Sequence, residues 1–449
     1  MHRNARSWTL ASVVVLLGLT AAPHAFAVPS FARQTGLPCT QCHVSAFGPA
    51  LTDFGRTFKL NGYTLGVGDY LPLSAMAVGS FTNTAQKQPS KPADHFSDND
   101  NAALDEVGLF YAGKITDHLG AFVQVTYDGI SRDTSWDNFD VRYATTTSIG
   151  ALDAVVGVSI NNNPTVQDLW NSTPAWGFPY VSSALAPTPA ATTLVSDGLG
   201  QQVIGASLYT MVDAHVYLEA GAYHAVPNAW LDRINGTSLD SPRPNNLIPY
   251  WRAAYQTTRG SNSFELGLFG LNADLQPYGA ANGSDGYVDY GIDGTYQFND
   301  GARSSFDAHA SYIREDRHLR QSFDAGAASS PSDQLDTLKV DTTYTWDHTW
   351  AATVAWFMTD GTRDPLAYAP DSLDGSANGK PDSRGYTLQL AYIPWGKSAA
   401  TVRDTARNAE IGVQFTGYDD FNGRNGNYDG SGRSASDNNT IFVFLWLAF

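Results

Sequence analysis

Val288-Asp289-Tyr290-Gly291-Ile292-Asp293-Gly294-Thr295-Tyr296-Gln297-Phe298 alternates in character. Val288, Tyr290, Ile292, Tyr296 and Phe298 occupy one set of positions, and Asp289, Asp293, Thr295 and Gln297 the other. Successive side chains of a strand point to opposite faces, so this stretch has one apolar and one polar face. The pattern recurs at Phe306, Ala308, Ala310 and Tyr312 against Asp307, His309 and Ser311, then from Tyr386 to Tyr392 and from Ala409 to Phe415. From Leu73 onward, such segments of roughly ten residues number about sixteen, as expected of strands with lipid on one side and water on the other. A soluble β-sandwich also alternates. Composition favours a barrel: 16% of residues are charged, 12% are aromatic and 41 are glycine.

The connections between segments alternate in length, as in an outer-membrane barrel. Short turns fall at 116–120, 150–153, 212–214, 259–262, 299–302 and 347–349. Long polar loops fall at 87–103, 161–198, 361–383 and 419–438. The chain ends Ile441-Phe442-Val443-Phe444-Leu445-Trp446-Leu447-Ala448-Phe449, which resembles the last strand of bacterial outer-membrane barrels. The expected fold is all-β: a transmembrane antiparallel barrel of about sixteen strands over 73–449, with the short N-terminal segment 28–72 in its lumen or mouth. An even strand number puts both termini on the periplasmic side.

Residues 1–27 have the form of a secretory signal, with Arg3 and Arg6, an apolar core and a small-residue ending at Ala25-Phe26-Ala27. Loss of its two arginines takes the formal net charge from −17 to −19, which argues against nucleic acid or anionic lipid as a partner. Beyond the signal no apolar run reaches the 18 or so residues of a membrane helix.

Cys39-Thr40-Gln41-Cys42-His43 holds the only two cysteines of the chain. This spacing attaches one haem c covalently: the thiols add to the haem vinyl groups and His43 becomes the proximal iron ligand. A thioredoxin-like redox pair would need a βαβ setting and no histidine. The segment 28–72 is about the length at which a chain needs a staple in order to fold. Haem would supply that staple, with the barrel wall enclosing the rest. Phe47, Phe54, Phe58 and Tyr63 are the candidate haem-packing aromatics, with core packing the other account of each. Arg33, Arg56 and Lys59 are candidate propionate partners. Met76 is the thioether nearest in sequence and so the candidate distal ligand, against a packing role, with His95 and His118 as competitors.

Phe31-Ala32-Arg33-Gln34-Thr35-Gly36, Leu51-Thr52-Asp53-Phe54-Gly55-Arg56-Thr57-Phe58-Lys59, Gly62-Tyr63, Asn161 to Asp168 and Trp176-Gly177-Phe178-Pro179-Tyr180 together resemble the outer-membrane monohaem cytochrome–porin fusions of iron-oxidising bacteria. The resemblance implies a protein of the bacterial outer membrane that takes electrons from extracellular ferrous iron and hands them to a periplasmic cytochrome or cupredoxin. Asp289, Asp293, Asp307, Asp341, Glu219 and Glu410 lie on polar strand faces, where they would concentrate divalent cations or simply solvate the lumen. The 161–198 connection is the third outward loop, so it either folds in over the haem or remains external. The alternative function is a diffusion porin whose haem segment is a plug or redox sensor. No nucleophile elbow, zinc pattern or phosphate loop is present, and the 419–438 loop fails the EF-hand spacing.

Overall fold

The computed structural model describes residues 29–66, 71–234, 242–280, 282–300, 303–371, 375–396 and 408–449. The expected signal segment lies outside them. The strands are β1 (Leu73–Thr84), β2 (Asn101–Lys114), β3 (Leu119–Asp128), β4 (Asp133–Ile149), β5 (Leu152–Asn161) and β6 (Val203–Val212). They continue with β7 (Val216–Ala225), β8 (Arg243–Pro244), β9 (Ile248–Arg259), β10 (Asn262–Gln276), β11 (Asp285–Asn299) and β12 (Ser304–His318). The last are β13 (Asp333–Trp346), β14 (Trp350–Gly361), β15 (Ser383–Tyr392), β16 (Asn408–Asp420) and β17 (Thr440–Ala448).

All belong to one 17-stranded sheet. β8 is a two-residue addition paired to the end of β10, so sixteen strands form the wall. Each wall strand pairs antiparallel with the next, and β17 returns to β1 with Met76 opposite Ala448, so the sheet closes without an edge. Closure separates this fold from an open sandwich.

The two faces follow the sequence pattern. Along β11, Asp289 and Asp293 are buried while Tyr290 and Ile292 are exposed. Leu208, Leu218, Leu266, Val354, Leu390 and Val413 lie exposed on other strands and continue an outward apolar belt. A soluble monomer does not carry an uninterrupted belt of this extent, whereas a wall facing lipid requires one. β17 is apolar on both faces because Phe442 and Phe444 point inward; Phe444 lies over Gly412 of β16, where a Cβ would come within 2.2 Å of its ring.

Turns at one end are tight, as at 150–151 and 260–261, where Gly150 and Gly260 take the positive φ that two-residue hairpins need. The connection after β15 is the longer exception at this end, and 397–407 of it lie outside the described residues. Loops at the other end are long, save the four-residue link between β3 and β4.

Two segments fill the barrel. The first carries α1 (Pro29–Thr35), α2 (Cys39–Cys42) and α3 (Asp53–Leu60) and sits at the short-turn end. Its contacts run around the wall. Ser305 Oγ of β12 donates to Val44 O at 3.0 Å, Asn408 Nδ2 of β16 to Ala46 O at 2.6 Å, Tyr209 OH of β6 to Leu60 O at 2.9 Å, and Tyr63 OH to Asp140 of β4 at 2.6 Å. Residues 29–66 thus contact the lumenal side of the wall on β4, β6, β12 and β16.

The second is the third connection at the long-loop end, 162–202, which folds inward. Ser172 Oγ donates to Asp293 of β11, Trp170 Nε1 to Gln256 of β9 at 2.9 Å, Val195 N to Asp289 at 2.7 Å, and Gln414 Nε2 of β16 to Val181 O at 3.2 Å. These anchors lie on well-separated strands, so the loop crosses the lumen.

Candidate functional site

The Cys39-to-His43 motif is one helical turn preceded by Pro38 and closed by His43 N donating to Cys39 O at 2.8 Å. The chain then folds back, with His43 bridged to Leu51 and Thr52 N donating to Cys42 O at 2.9 Å. Thr52 caps α3, its hydroxyl accepting Gly55 N–H at 3.2 Å. α3 therefore docks directly on the motif, and a Cβ at Gly55 would lie 2.3 Å from Cys42 O. Gly55→Ala is expected to cost about 1–3 kcal/mol through this overpacking and to lift α3 off the motif. Faster protease cleavage within 36–60, in a barrel that still unfolds at its usual denaturant concentration, is the check.

Cys39 and Cys42 are not joined in a disulfide and are half-buried. Three positions apart in a helix, both thiols lie on one side. Burial raises both, Cys42 to about 12, which is opposite to the lowered thiol of a catalytic redox pair. His43 is half-buried with its Nδ1 enclosed and unpartnered. Desolvation pulls the imidazole down to about 4, so it is neutral, the form that ligates a metal. Two protonated thiols and a neutral imidazole with an orphaned nitrogen are a donor set that fits a covalently attached haem.

Aromatic rings border the motif. Phe47 packs edge-on against Trp446 with centroids 4.7 Å apart, and Phe31 lies 4.9 Å from Phe58 and 5.4 Å from Tyr63. Phe54 is half-buried. Met76 points into the lumen from β1 and clusters with Phe47, Phe110 and Ala112, so its thioether shares an apolar patch with the residue four positions after His43.

The basic residues are placed differently from one another. Arg33 is half-buried at the mouth and donates to Leu73 O. Arg56 is buried and reaches the wall, donating to Gln297 at 2.6 Å and Ser263 at 2.7 Å, with Asp53 as its ion-pair partner. Lys59 Nζ donates to the carbonyls of Val166 and Asp168 and to Asn171 Oδ1, and lies 5.0 Å from the Trp176 ring centre. Burial lowers Lys59 to about 7. Arg56 thus ties α3 to the wall, and Lys59 ties it to the infolded loop.

Sequence reading missed the latch of that loop. Arg252 of β9 pairs with Asp293 at 2.8 Å, with Glu265 at 3.2 Å and with Asp168 of the loop at 3.2 Å, all wholly enclosed. Against burial, which would raise it, Arg252 and Lys59 hold the Asp168 carboxyl below its ordinary range. Of the six acids expected to give the lumen an open negative surface, all are buried on the lumenal side, yet several are engaged. Asp293 is neutralised by Arg252, Asp289 accepts Val195 N–H, and Glu219 accepts from Ser207 and Tyr217. The strand alternation marked these positions; their partners depend on barrel closure.

No protein-family model matches the chain, and no curated protein matches it in sequence. Among solved structures it is similar to the outer membrane channel DcaP of Acinetobacter baumannii, at 13% identity over 84% of this chain and 96% of that one, with a TM-score of 0.45. It is also similar to an anion-selective porin from Comamonas acidovorans, at 10% identity over 84% and 97%, with a TM-score of 0.45. A third is OmpF of Salmonella typhi in complex with daunomycin, at 13% identity over 84% and 97%, with a TM-score of 0.43.

Proposed function

We propose that this chain is an outer-membrane c-type cytochrome housed in a porin-type barrel, acting as an iron:cytochrome c oxidoreductase. It would accept electrons from an extracellular donor, ferrous iron being the one its sequence resemblance implies, and pass them to a periplasmic cytochrome or cupredoxin. The observation that carries the reading is that the chain's only two cysteines, spaced for thioether attachment and followed by His43, lie inside a closed barrel with an apolar outer face.

Haem c held by Cys39, Cys42 and His43 would supply a reversible one-electron centre. The chain's own residues shape its setting. Phe31, Phe47, Phe58 and Trp446 exclude water, which favours a raised potential. Arg33, at the mouth, and Arg56 are the proposed propionate-side cations. Gln41 is exposed, leaving an edge of the motif open on the short-turn side for a carrier. The infolded loop screens the motif from the other side. An apolar band about 25 Å tall is too thick for one haem to bridge, so the carrier must dock at the inner mouth. Ferric iron precipitates near neutral pH, and donation on the long-loop side keeps that product out of the periplasm.

A second reading, a diffusion porin with a haem-bearing plug, is favoured by the cavity that remains beneath the infolded loop, lined by Asn171, Trp176, Tyr180, His309, Lys339 and Asp341. One experiment separates them. Purified protein in detergent is mixed with excess ferrous iron, and the haem is expected to become reduced within seconds to minutes, while His43→Ala loses that reduction. Haem that stays ferric, in a protein that lets solutes cross liposomes, would decide for the porin.

A further inference from the structure

The cavity beneath the infolded loop is lined on one side by His309 of β12 and Asp341 of β13, with Asp307 of β12 grouped beside them, all three buried. Asp307 and His309 share the lumenal face of one strand, and Asp341 is the direct cross-strand partner of His309. His309 Nδ1 lies 3.1 Å from Asp341 Oδ2 and 3.7 Å from Asp307 Oδ2. Asp307 Oδ2, one of these donor atoms, is enclosed and has no hydrogen-bond partner, in a residue more than nine-tenths buried. Buried polar atoms are rarely left so, and a bound ion is one of the recognised reasons.

We infer that Asp307, His309 and Asp341 form a binding site for a divalent first-row transition-metal ion, and that this is where the ferrous donor is held. The ion-binding part stands on this geometry alone; the donor role rests on the electron-conduit reading. Donors about 2.1 Å from one ion lie roughly 3.0 Å apart at a right angle and roughly 3.5 Å apart at a tetrahedral angle. The spacings of 3.1 and 3.7 Å are of that size. One imidazole with two carboxylates suits iron(II), manganese or cobalt better than soft copper(I) or all-oxygen calcium. Among the described residues three protein donors converge, which leaves coordination positions for water. Two carboxylates attract a tripositive ion more strongly than a dipositive one, so the site favours loss of one electron from the ferrous ion. The oxidant is the c-type haem of that reading, and the ferric product leaves outward. Lys339 lines the same cavity from β13 and offsets part of the acid charge, which keeps the ion exchangeable.

The site also stands near the motif. Asp307 is two residues, about 7 Å, along β12 from Ser305, whose hydroxyl donates to the carbonyl of Val44, next to His43. Tyr180 of the loop lines the cavity and also packs on Gly48, where a Cβ would meet its ring at 3.3 Å.

The test is equilibrium dialysis of the full-length holoprotein in detergent against cobalt(II), a redox-stable stand-in, with cobalt counted per chain. One cobalt per chain is expected. His309→Ala and Asp307→Asn should each weaken it at least about tenfold, while Asp117→Asn, on the exposed turn after β2, should not. Unchanged sheet circular dichroism confirms folding, and His309→Gln serves where the alanine variant does not fold. Absence of stoichiometric cobalt, or retention of it in the folded site variants, overturns the site. The same variants should need more ferrous iron for half-maximal haem reduction while reducing normally with dithionite. Cobalt bound and lost as expected, with no reduction of wild-type haem by ferrous iron, upholds the ion site and defeats the conduit reading instead.

Discussion

Arg252→Met is expected to turn a blocked barrel into a conducting one. The guanidinium bridges two wall carboxylates, Asp293 and Glu265, to Asp168 of the infolded loop, with Trp170 stacked 5.3 Å away. Methionine fills most of the volume but leaves three enclosed carboxylates facing one another. Removing one member of a buried charge network costs about 3–5 kcal/mol. The wall residues are fixed by the sheet, so the loop is the part that can move to relieve the repulsion. Asp168 also organises its own turn, accepting N–H groups from Trp170, Ser172 and Thr173, so the turn would leave as a unit. Sixteen-stranded barrels without such filling hold an aqueous channel. In planar bilayers the parent is expected to be nearly silent and the variant to show sustained porin-type openings, with a lower denaturation midpoint. An unchanged trace and midpoint would mean that the anchors of Leu194 on Glu315 and Val195 on Asp289 hold the loop without Arg252.

The double substitution Cys39→Ser, Cys42→Ser is expected to remove covalent haem completely and to loosen the segment that carries it. A segment of this length lacks enough core of its own to stay folded without a cross-link. Its wall contacts, such as Ser305 to Val44 and Asn408 to Ala46, are hydrogen bonds to backbone carbonyls, each worth only about 0.5–1.5 kcal/mol. The barrel itself should survive, because its closure runs through β1 and β17 and not through the segment. Protease added from the short-turn side should cut between α1 and α3 in the variant and not in the parent. Equal protection in both would show that hydrogen bonds to the wall suffice.

Much of this architecture was legible because it depends on local alternation. Asp289, Tyr290, Ile292 and Asp293 announce their faces within a few residues, and the strand number and loop asymmetry follow from repeating that reading. The Cys39-to-His43 spacing was visible for the same reason, since it is a property of five consecutive residues. What could not be read were contacts made by closure. Leu194 meets Glu315 across 121 positions, and Arg56 meets Gln297 across 241. Arg56 and Lys59 read from sequence as charges near a haem; in the fold their donors also bind the wall and the loop, because a side chain takes whichever acceptors the closed barrel brings within reach. His309 read as one polar residue of an alternating strand, and only the register of β12 with β13 sets it beside Asp341.

The central claim is that one haem is bonded through Cys39 and Cys42 within this barrel. A pyridine haemochrome spectrum of the detergent-purified chain after acid–acetone extraction tests it most directly. The account predicts one haem per chain, retained by the polypeptide and showing the bands of a macrocycle whose two vinyl groups have become thioethers. A colourless protein, or haem that passes into the solvent with its vinyl groups intact, would contradict it.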